Sequence, residues 1–435
     1  MKKYDTYKDS GIRWIGQVPE HWAITRIKFL ANAQENSFAD GDWIESPYVT
    51  DSGIRYLTSG NIGNGSFKRQ GNGYITEETF QKLNCKFAYP GDLVFCRLNQ
   101  PFGRSCILPN DQDRYVIAVD NVILRTNEDK RYICYITQLE RYQNYIGMQA
   151  NGTAMQRISR TKLGNVYIPL PPLSEQEAIA NFLDKKTGEI DKAISLFEQE
   201  KLDLLAYRKA IISETVTKGL NPNAKLKDSG IQWIGQIPEE WRSLKLKHIS
   251  TFINGYAFNS KDFSTENGCK VIRIGEIEND INYGNCIRAN VDVNLIQQYR
   301  VRENDIVIAM SGATTGKSCI TSNVEEAYIN QRVGIIRSKY YKLLYYILQV
   351  PYFQEYISLN NAGSAQPNIS SNAISNFSIP LSPLSEQQAI VAFLDQKTSD
   401  IDTAIERINT QITELQAYRT ALISEAVTGK IDVRN

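Results

Sequence analysis

Two stretches of this chain repeat each other almost residue for residue, and no other feature constrains the fold as much. Residues 8–22 (K-D-S-G-I-R-W-I-G-Q-V-P-E-H-W) return as residues 227–241 (K-D-S-G-I-Q-W-I-G-Q-I-P-E-E-W). A second match links Pro172-Leu173-Ser174-Glu175-Gln176 to Pro383-Leu384-Ser385-Glu386-Gln387. It continues from Phe182-Leu183-Asp184 to Phe393-Leu394-Asp395, from Tyr207-Arg208 to Tyr418-Arg419, and from Ile212-Ser213-Glu214 to Ile423-Ser424-Glu425. The period, about 215 residues, is far beyond a solenoid unit, so this is duplication of a domain. Between the matched blocks the halves diverge, with short echoes such as Gly152-Thr153-Ala154 and Gly363-Ser364-Ala365. Each half is thus a shared entry segment, an unshared body and a shared tail.

The tails read as long helices. Ser174 with Glu177, and Ser385 with Gln388, have capping-box spacing. Pro171, Pro172 and Pro383 lie just upstream, where a helix has not begun. Ile190, Ile194, Phe197, Leu204 and Ile211 follow a narrow seam spacing, as do Ile401, Ile405, Ile408, Ile412, Leu415 and Leu422. Lys201 and Arg208 interrupt the first seam and Arg419 the second. Gly219 and Gly429 stand where the helices should stop, with Asn221-Pro222 beyond the first. A helix from Ser174 to Val216 would be roughly 65 Å long at about 1.5 Å per residue. Two matching seams in one chain pair most simply with each other, antiparallel; the other reading packs each seam on its own body.

The bodies read as mixed α/β. Strand-like stretches cover 92–98, 115–125, 306–310 and 328–337, and helix-like stretches 131–148 and 341–359. The expected fold class is α/β (α+β), with two globular domains separated by two long helices in an antiparallel coiled coil. The expected boundaries are 1–172, a helix 173–219, a linker 220–226, a second body 227–383, a helix 384–429 and a tail 430–435.

Net charge is +1, which hides a split. Residues 174–219 carry 7 Lys/Arg and 9 Asp/Glu, and 385–429 carry 3 and 7. The helices are therefore acidic and the rest basic, which suits bodies facing a polyanion and helices facing protein. Seven scattered cysteines without a C-x-x-C pair read as free thiols in a reducing cytoplasm. The polar residues 1–10 and the lack of a long apolar run argue against a signal peptide and a membrane span.

Catalytic chemistry is poorly supplied. Only His21 and His248 are present, at unmatched positions, which disfavours a His-based triad or a zinc cluster. There is no glycine-rich S-adenosylmethionine loop and no Asn-Pro-Pro-Tyr-type motif. Gly312-Ala313-Thr314-Thr315-Gly316-Lys317-Ser318 resembles a phosphate-binding loop, yet Ser311 occupies the first glycine position and Cys319-Ile320-Thr321 favours strand. The first half carries Arg97-Leu98-Asn99-Gln100-Pro101-Phe102-Gly103-Arg104 there, with Arg104 opposite Lys317. A loop that meets DNA explains that pairing better than a nucleotide site. Glu128-Asp129-Lys130 reads as a solvated turn rather than half of a nuclease metal site. Tyr74, Tyr283 and the tryptophans 14, 22, 233 and 241 read as packing.

The duplicated W-I-G-x-[VI]-P-E-x-W, the P-L-S-E-Q-x-x-I-x-x-F-L-D helix start and the twin tails resemble the specificity subunit of a Type I restriction–modification system, from end to end of the chain. The resemblance implies two target-recognition domains that each read half of a bipartite double-stranded DNA site, and a coiled coil that sets their spacing. It implies a non-catalytic subunit that binds no cofactor itself. S-adenosylmethionine and ATP belong to its partners, two methyltransferase subunits; two restriction/translocase subunits are left open. The reading loops it implies hold Arg97, Asn99, Arg104, Gln156 and Arg157 in the first body. In the second they hold Ser311, Thr314, Thr315, Lys317, Gln366 and Asn368. The alternative is a coiled-coil scaffold whose bodies bind other proteins.

Overall fold

The structure, a computed structural model, describes residues 2–71, 73–150, 156–232, 234–264, 266–360 and 367–434. The chain divides into two compact units, Met1–Phe197 with Thr410–Asn435, and Glu198–Asn409. Sequence order and compact units therefore part company. The last stretch of chain, expected as a tail, belongs to the first unit, where Ile431 joins the core and Val433 packs against it.

In the first unit a four-stranded antiparallel sheet runs in the order Phe38–Asp40, Asn121–Leu124, Leu93–Cys96, Ser105–Ile107. A three-stranded sheet sets Ile54–Leu57 between Tyr74–Ile75 and, in parallel, Tyr115–Ile117. The second unit repeats the plan. Its antiparallel sheet runs Thr251–Asn254, Val333–Arg337, Ile306–Ala309, Ser318–Ile320. Its other sheet ends in a parallel pair, Cys269–Ile272 with Ala327–Ile329. The expected single strands 115–125 and 328–337 are each two strands in different sheets. Turns at 118–120 and 330–332 carry the chain across. Asp120-Asn121 and Asn330-Gln331-Arg332 mark the crossings, but the buried apolar strands on either side read as one stretch. The expected body helices are likewise split, into Lys130–Thr137 and Glu140–Gly147, and into Tyr341–Ile347 and Pro351–Asn360. Pro351 lacks the N–H that would continue the preceding helix.

The long helices span Leu173–Lys218 and Leu384–Val427. They begin at the expected residues 173 and 384, so the capping-box serines Ser174 and Ser385 lie in the first turn rather than at the cap. Pro172 O instead accepts from the backbone N–H of Glu175 (2.8 Å) and Gln176 (3.0 Å), and Pro383 O from that of Gln387 (3.0 Å). The motif's glutamates serve the entry segments. Glu175, 4% exposed, accepts the Trp22 indole N–H at 3.0 Å, and Glu386 that of Trp241 at 2.7 Å. Both indoles are among the largest fully buried side chains, as a packing role for them requires; Trp233 lies outside the described residues. Farther along, Tyr135 donates to Asp184 and Tyr346 to Asp395, both at 2.7 Å, which ties each body to its helix.

The polar interruptions of the seams have partners. In the first unit Arg419 pairs with Asp191 at 3.0 Å. In the second, Arg208 pairs with Asp402 at 3.6 Å, and Lys201 donates to Asn409 at 2.8 Å. The second pair of contacts runs up one helix segment and down the other, so within that unit the two segments are antiparallel. None of the seven cysteines is bonded to another.

Candidate nucleic-acid interface

The two antiparallel sheets each present a hairpin at the same place. In the first unit it joins Leu93–Cys96 to Ser105–Ile107; in the second it joins Ile306–Ala309 to Ser318–Ile320. A second loop backs each hairpin through one bridge, Leu98 with Arg157 and Ser311 with Asn368. Gly103 and Gly316 sit at matching positions with φ of 67° and 88°, and a Cβ there would collide with Ile146 and Ile357 of the body helices. Only glycine combines that dihedral with that approach.

The phosphate-loop resemblance ends here. Gly312–Lys317 is a hairpin turn followed by strand, with no helix N-terminus to face a phosphate. Asp129 caps the helix Lys130–Thr137, accepting from the N–H of Arg131 and Tyr132, and Glu128 accepts from Gln176 at 2.6 Å. No group of metal-ligating side chains occurs among the described residues.

The expected reading residues separate into two kinds. Arg97 is only 5% exposed. Its guanidinium donates to Ile158 O and Val119 O and pairs with Asp40 at 3.0 Å. Burial lowers its pKa below the usual arginine value, with Asp40 opposing that shift. Arg97 thus braces the hairpin from behind and does not present its guanidinium to solvent. Arg104, half-buried, donates to five backbone carbonyls: Ile62 (2.7 Å), Ser59 (3.0 Å), and Leu98, Asn99 and Pro101 (3.2 Å each). Ser311 is buried and its hydroxyl has no hydrogen-bond partner among the described residues. Thr315 closes its own turn, donating to Gly312 O at 2.7 Å and Pro367 O at 3.3 Å. The sequence flagged these four as contacts because charge and polarity do not reveal which way a side chain points.

The other candidates face outward. Asn99, Gln156 and Arg157 are exposed, with the Asn99 N–H donating to Gln156 O at 3.1 Å and Arg157 paired with Asp120 at 2.8 Å. Thr314, Lys317 and Asn368 are exposed on the second unit. Gln366, and the echoes at 152–154 and 363–365, lie outside the described residues. Beside the first hairpin an open cleft of 630 Å³ is lined by Gln100, Phe102, Asn144, Met148 and Gln156 among others. The sequence reading missed Gln100, Asn144 and Met148; the last, 79% exposed, is an unusual place for so apolar a side chain.

Comparison with known proteins follows the same frame. A family model described as the Type I restriction modification DNA specificity domain matches residues 19–197 and again 238–414. The chain is 29% identical over 324 residues to the Type I restriction enzyme MjaVIII specificity subunit of Methanocaldococcus jannaschii, covering 71% of each. It is 23% identical to the Type I restriction enzyme EcoBI specificity subunit of Escherichia coli, covering 77% of this chain and 69% of that one. Among solved structures, a chain from a study of complex assembly and conformational transition of the type I R-M system aligns with a TM-score of 0.73. The two are 17% identical, with 95% of this chain and 99% of that one covered. The HsdS subunit from Thermoanaerobacter tengcongensis aligns with a TM-score of 0.56 and 18% identity, covering 95% and 98%.

Proposed function

The chain belongs to the Type I restriction modification DNA specificity family, and on that footing we propose that each of its compact units reads one half of a bipartite double-stranded DNA site. Sequence recognition of DNA is the family's work. The observation that carries the division of labour is the pair of matched frames with unmatched hairpins: the bridge, the glycine and the sheet are the same at 98–103 and 311–316, while the outward side chains differ. Two modules that read different sequences through the same partner contacts need this arrangement. The two long helices act as the spacer between the half-site readers, paired as an antiparallel coiled coil, and dock two methyltransferase subunits. Exposed Leu202 and Tyr207 on the central helix offer apolar area for that docking. The chain itself performs no chemistry; S-adenosylmethionine and ATP are bound by the partner subunits, restriction/translocase subunits among them where the assembly cuts. The protein-binding scaffold is not favoured, since the relatives are named as restriction-enzyme specificity subunits.

Filter binding of the chain assembled with its methyltransferase subunits tests this. Tight binding to one bipartite duplex, with log affinity falling steeply and linearly in log salt, is expected. Equal affinity for all duplexes, or no salt dependence, would overturn the reading.

A further inference from the structure

The two hairpins solve one mechanical problem with different chemistry, and the difference assigns different work to two matched cations. A turn that leaves its sheet exposes carbonyl oxygens with no ladder partner, and each must be satisfied. In the first unit Arg104 does this. Its Nη1 meets Leu98, Asn99 and Pro101 O of the hairpin, while Nε and Nη2 meet Ile62 and Ser59 O of the neighbouring loop. One guanidinium thereby fastens two separate loops into a single face, the face that carries Asn99 and Gln100. All five acceptors are neutral, and the fork has little donor capacity left for a base or a phosphate.

In the second unit neutral groups close the corresponding turn. Thr315 donates to Gly312 O and Pro367 O, and the Gly312 N–H donates to Pro367 O at 2.8 Å. Lys317, at the position of Arg104, is exposed, and its backbone N–H closes the turn onto Thr314 O at 2.9 Å.

We propose that Arg104 is a positioning residue that sets base preference in the first half-site, whereas Lys317 meets a DNA phosphate and sets affinity without sequence preference. This rests on the reading that both units bind DNA. Base discrimination depends on donors and acceptors held in fixed register with a groove edge. A phosphate contact needs only a positive charge within reach. Arg104→Lys keeps the charge and loses the fork; Lys317→Ala loses the charge and leaves the Thr315 closure intact.

The experiment selects binders from a randomised duplex pool with the chain assembled with its methyltransferase subunits, and measures affinity against salt for each variant. For Arg104→Lys the expected result is a loss of about tenfold in preference at positions of one half-site, the scale of one good base contact. The other half-site and the salt slope should be unchanged. For Lys317→Ala both half-sites should stay intact and the salt slope should fall by about 0.9, the value of one released phosphate contact. Full selectivity in Arg104→Lys, or a slope that falls as it does for Lys317→Ala, overturns the assignment. Where Arg104→Lys melts well below the parent, Arg104→Gln, whose amide still donates two bonds, takes its place with the same expected outcome. Failure of the parent assembly to select any bipartite site would instead overturn the DNA reading beneath the proposal.

Discussion

The buried glutamate of the helix-start motif keeps different company in the two units. In the first, Glu175 accepts from Tyr4, from Trp22 at 3.0 Å and from His21 at 2.8 Å, with Arg434 at 3.9 Å. In the second, Glu386 accepts from Trp241, and the position of His21 is held by Glu240. The reason lies in how each entry segment is reached. In the second unit the central helix stops at Gly219, φ 76°, packed beside Trp241, and residues 220–226 lead directly into the entry segment. In the first unit the C-terminal helix stops at Gly429, φ 71°, packed beside Trp22 in the matching place. Here no peptide bond in the sequence joins the helix to the entry segment. Side chains and one backbone bond form the join: Asp432 N–H donates to Lys2 O at 2.9 Å, Arg434 lies over the Tyr4 ring, and Tyr4 donates to Glu175. Burial, and then the bond to Glu175, push the Tyr4 phenol above its ordinary pKa, so it remains a donor. The first unit is the second with one covalent connection replaced by a clasp.

The largest expected effect concerns the bodies. Replacing residues 23–170 with the corresponding body of a relative should replace one half of the methylated motif entirely and leave the other half and the gap unchanged. Methylome sequencing of a host carrying the chimaera measures it. A motif altered in both halves would show that the bodies do not read independently.

The clasp makes the frames unequal, and glutamate truncation should expose that. Glu175→Ala strands three donors beneath the entry segment and should destabilise the first unit by about 3–5 kcal/mol, the scale of breaking a buried charged network. Glu386→Ala strands one indole and should cost the second unit about 1–3 kcal/mol. Hydrogen exchange at residues 5–25 and 225–245 reads the two separately. Equal losses would mean that the extra partners of Glu175 contribute nothing.

Much of this frame was legible in the sequence, and the reason is physical. Repeated residues such as Trp22/Trp241 and Glu175/Glu386 make the same contact twice, so repetition itself marks them as structural. Helix seams announce themselves by spacing, down to Arg208 and Arg419, whose partners Asp402 and Asp191 are themselves a repeated pair. What was not legible depends on three-dimensional closure. Nothing local distinguishes Arg104, which turns inward onto five carbonyls, from Lys317, which stays exposed. The passage of residues 115–125 between two sheets is marked only by Asp120-Asn121, set between buried apolar strands that read as one. The return of residues 430–434 to the first unit is a long-range contact that no short pattern encodes.

The seam pairs offer a smaller test, in which the units should agree. Arg419 and Arg208 occupy matching positions against Asp191 and Asp402, and both carboxylates are 55% exposed. Alanine at either position should cost about 0.5–1 kcal/mol, the range for pairs open to solvent, and the two losses should match. A loss above 2 kcal/mol at one of them alone would show that its pair does more than close the seam.

The smallest expected effect is on the clasp itself, and it has a definite pH sign. Asp432 accepts from the Arg434 guanidinium at 2.8 and 2.9 Å and from its backbone N–H at 3.1 Å. Those bonds hold its carboxyl below the usual aspartate pKa, against an opposing contribution from partial burial. A depressed folded value means that the stabilisation is fully present above the unfolded pKa of about 3.9. It is lost as pH falls through the folded value. No change is therefore expected between pH 7 and 5. Below about pH 4 the Asp432 amide, held on Lys2 O, should exchange faster, while amides of residues 220–226 in the covalently joined counterpart should show no such transition. Arg434 is nearly half exposed, so the effect should stay under about 1 kcal/mol. Asp432→Asn should remove the acid transition and leave the amide at its faster rate at every pH. A clasp that instead loosened between pH 7 and 6 would show that the Asp432 carboxylate does not control it.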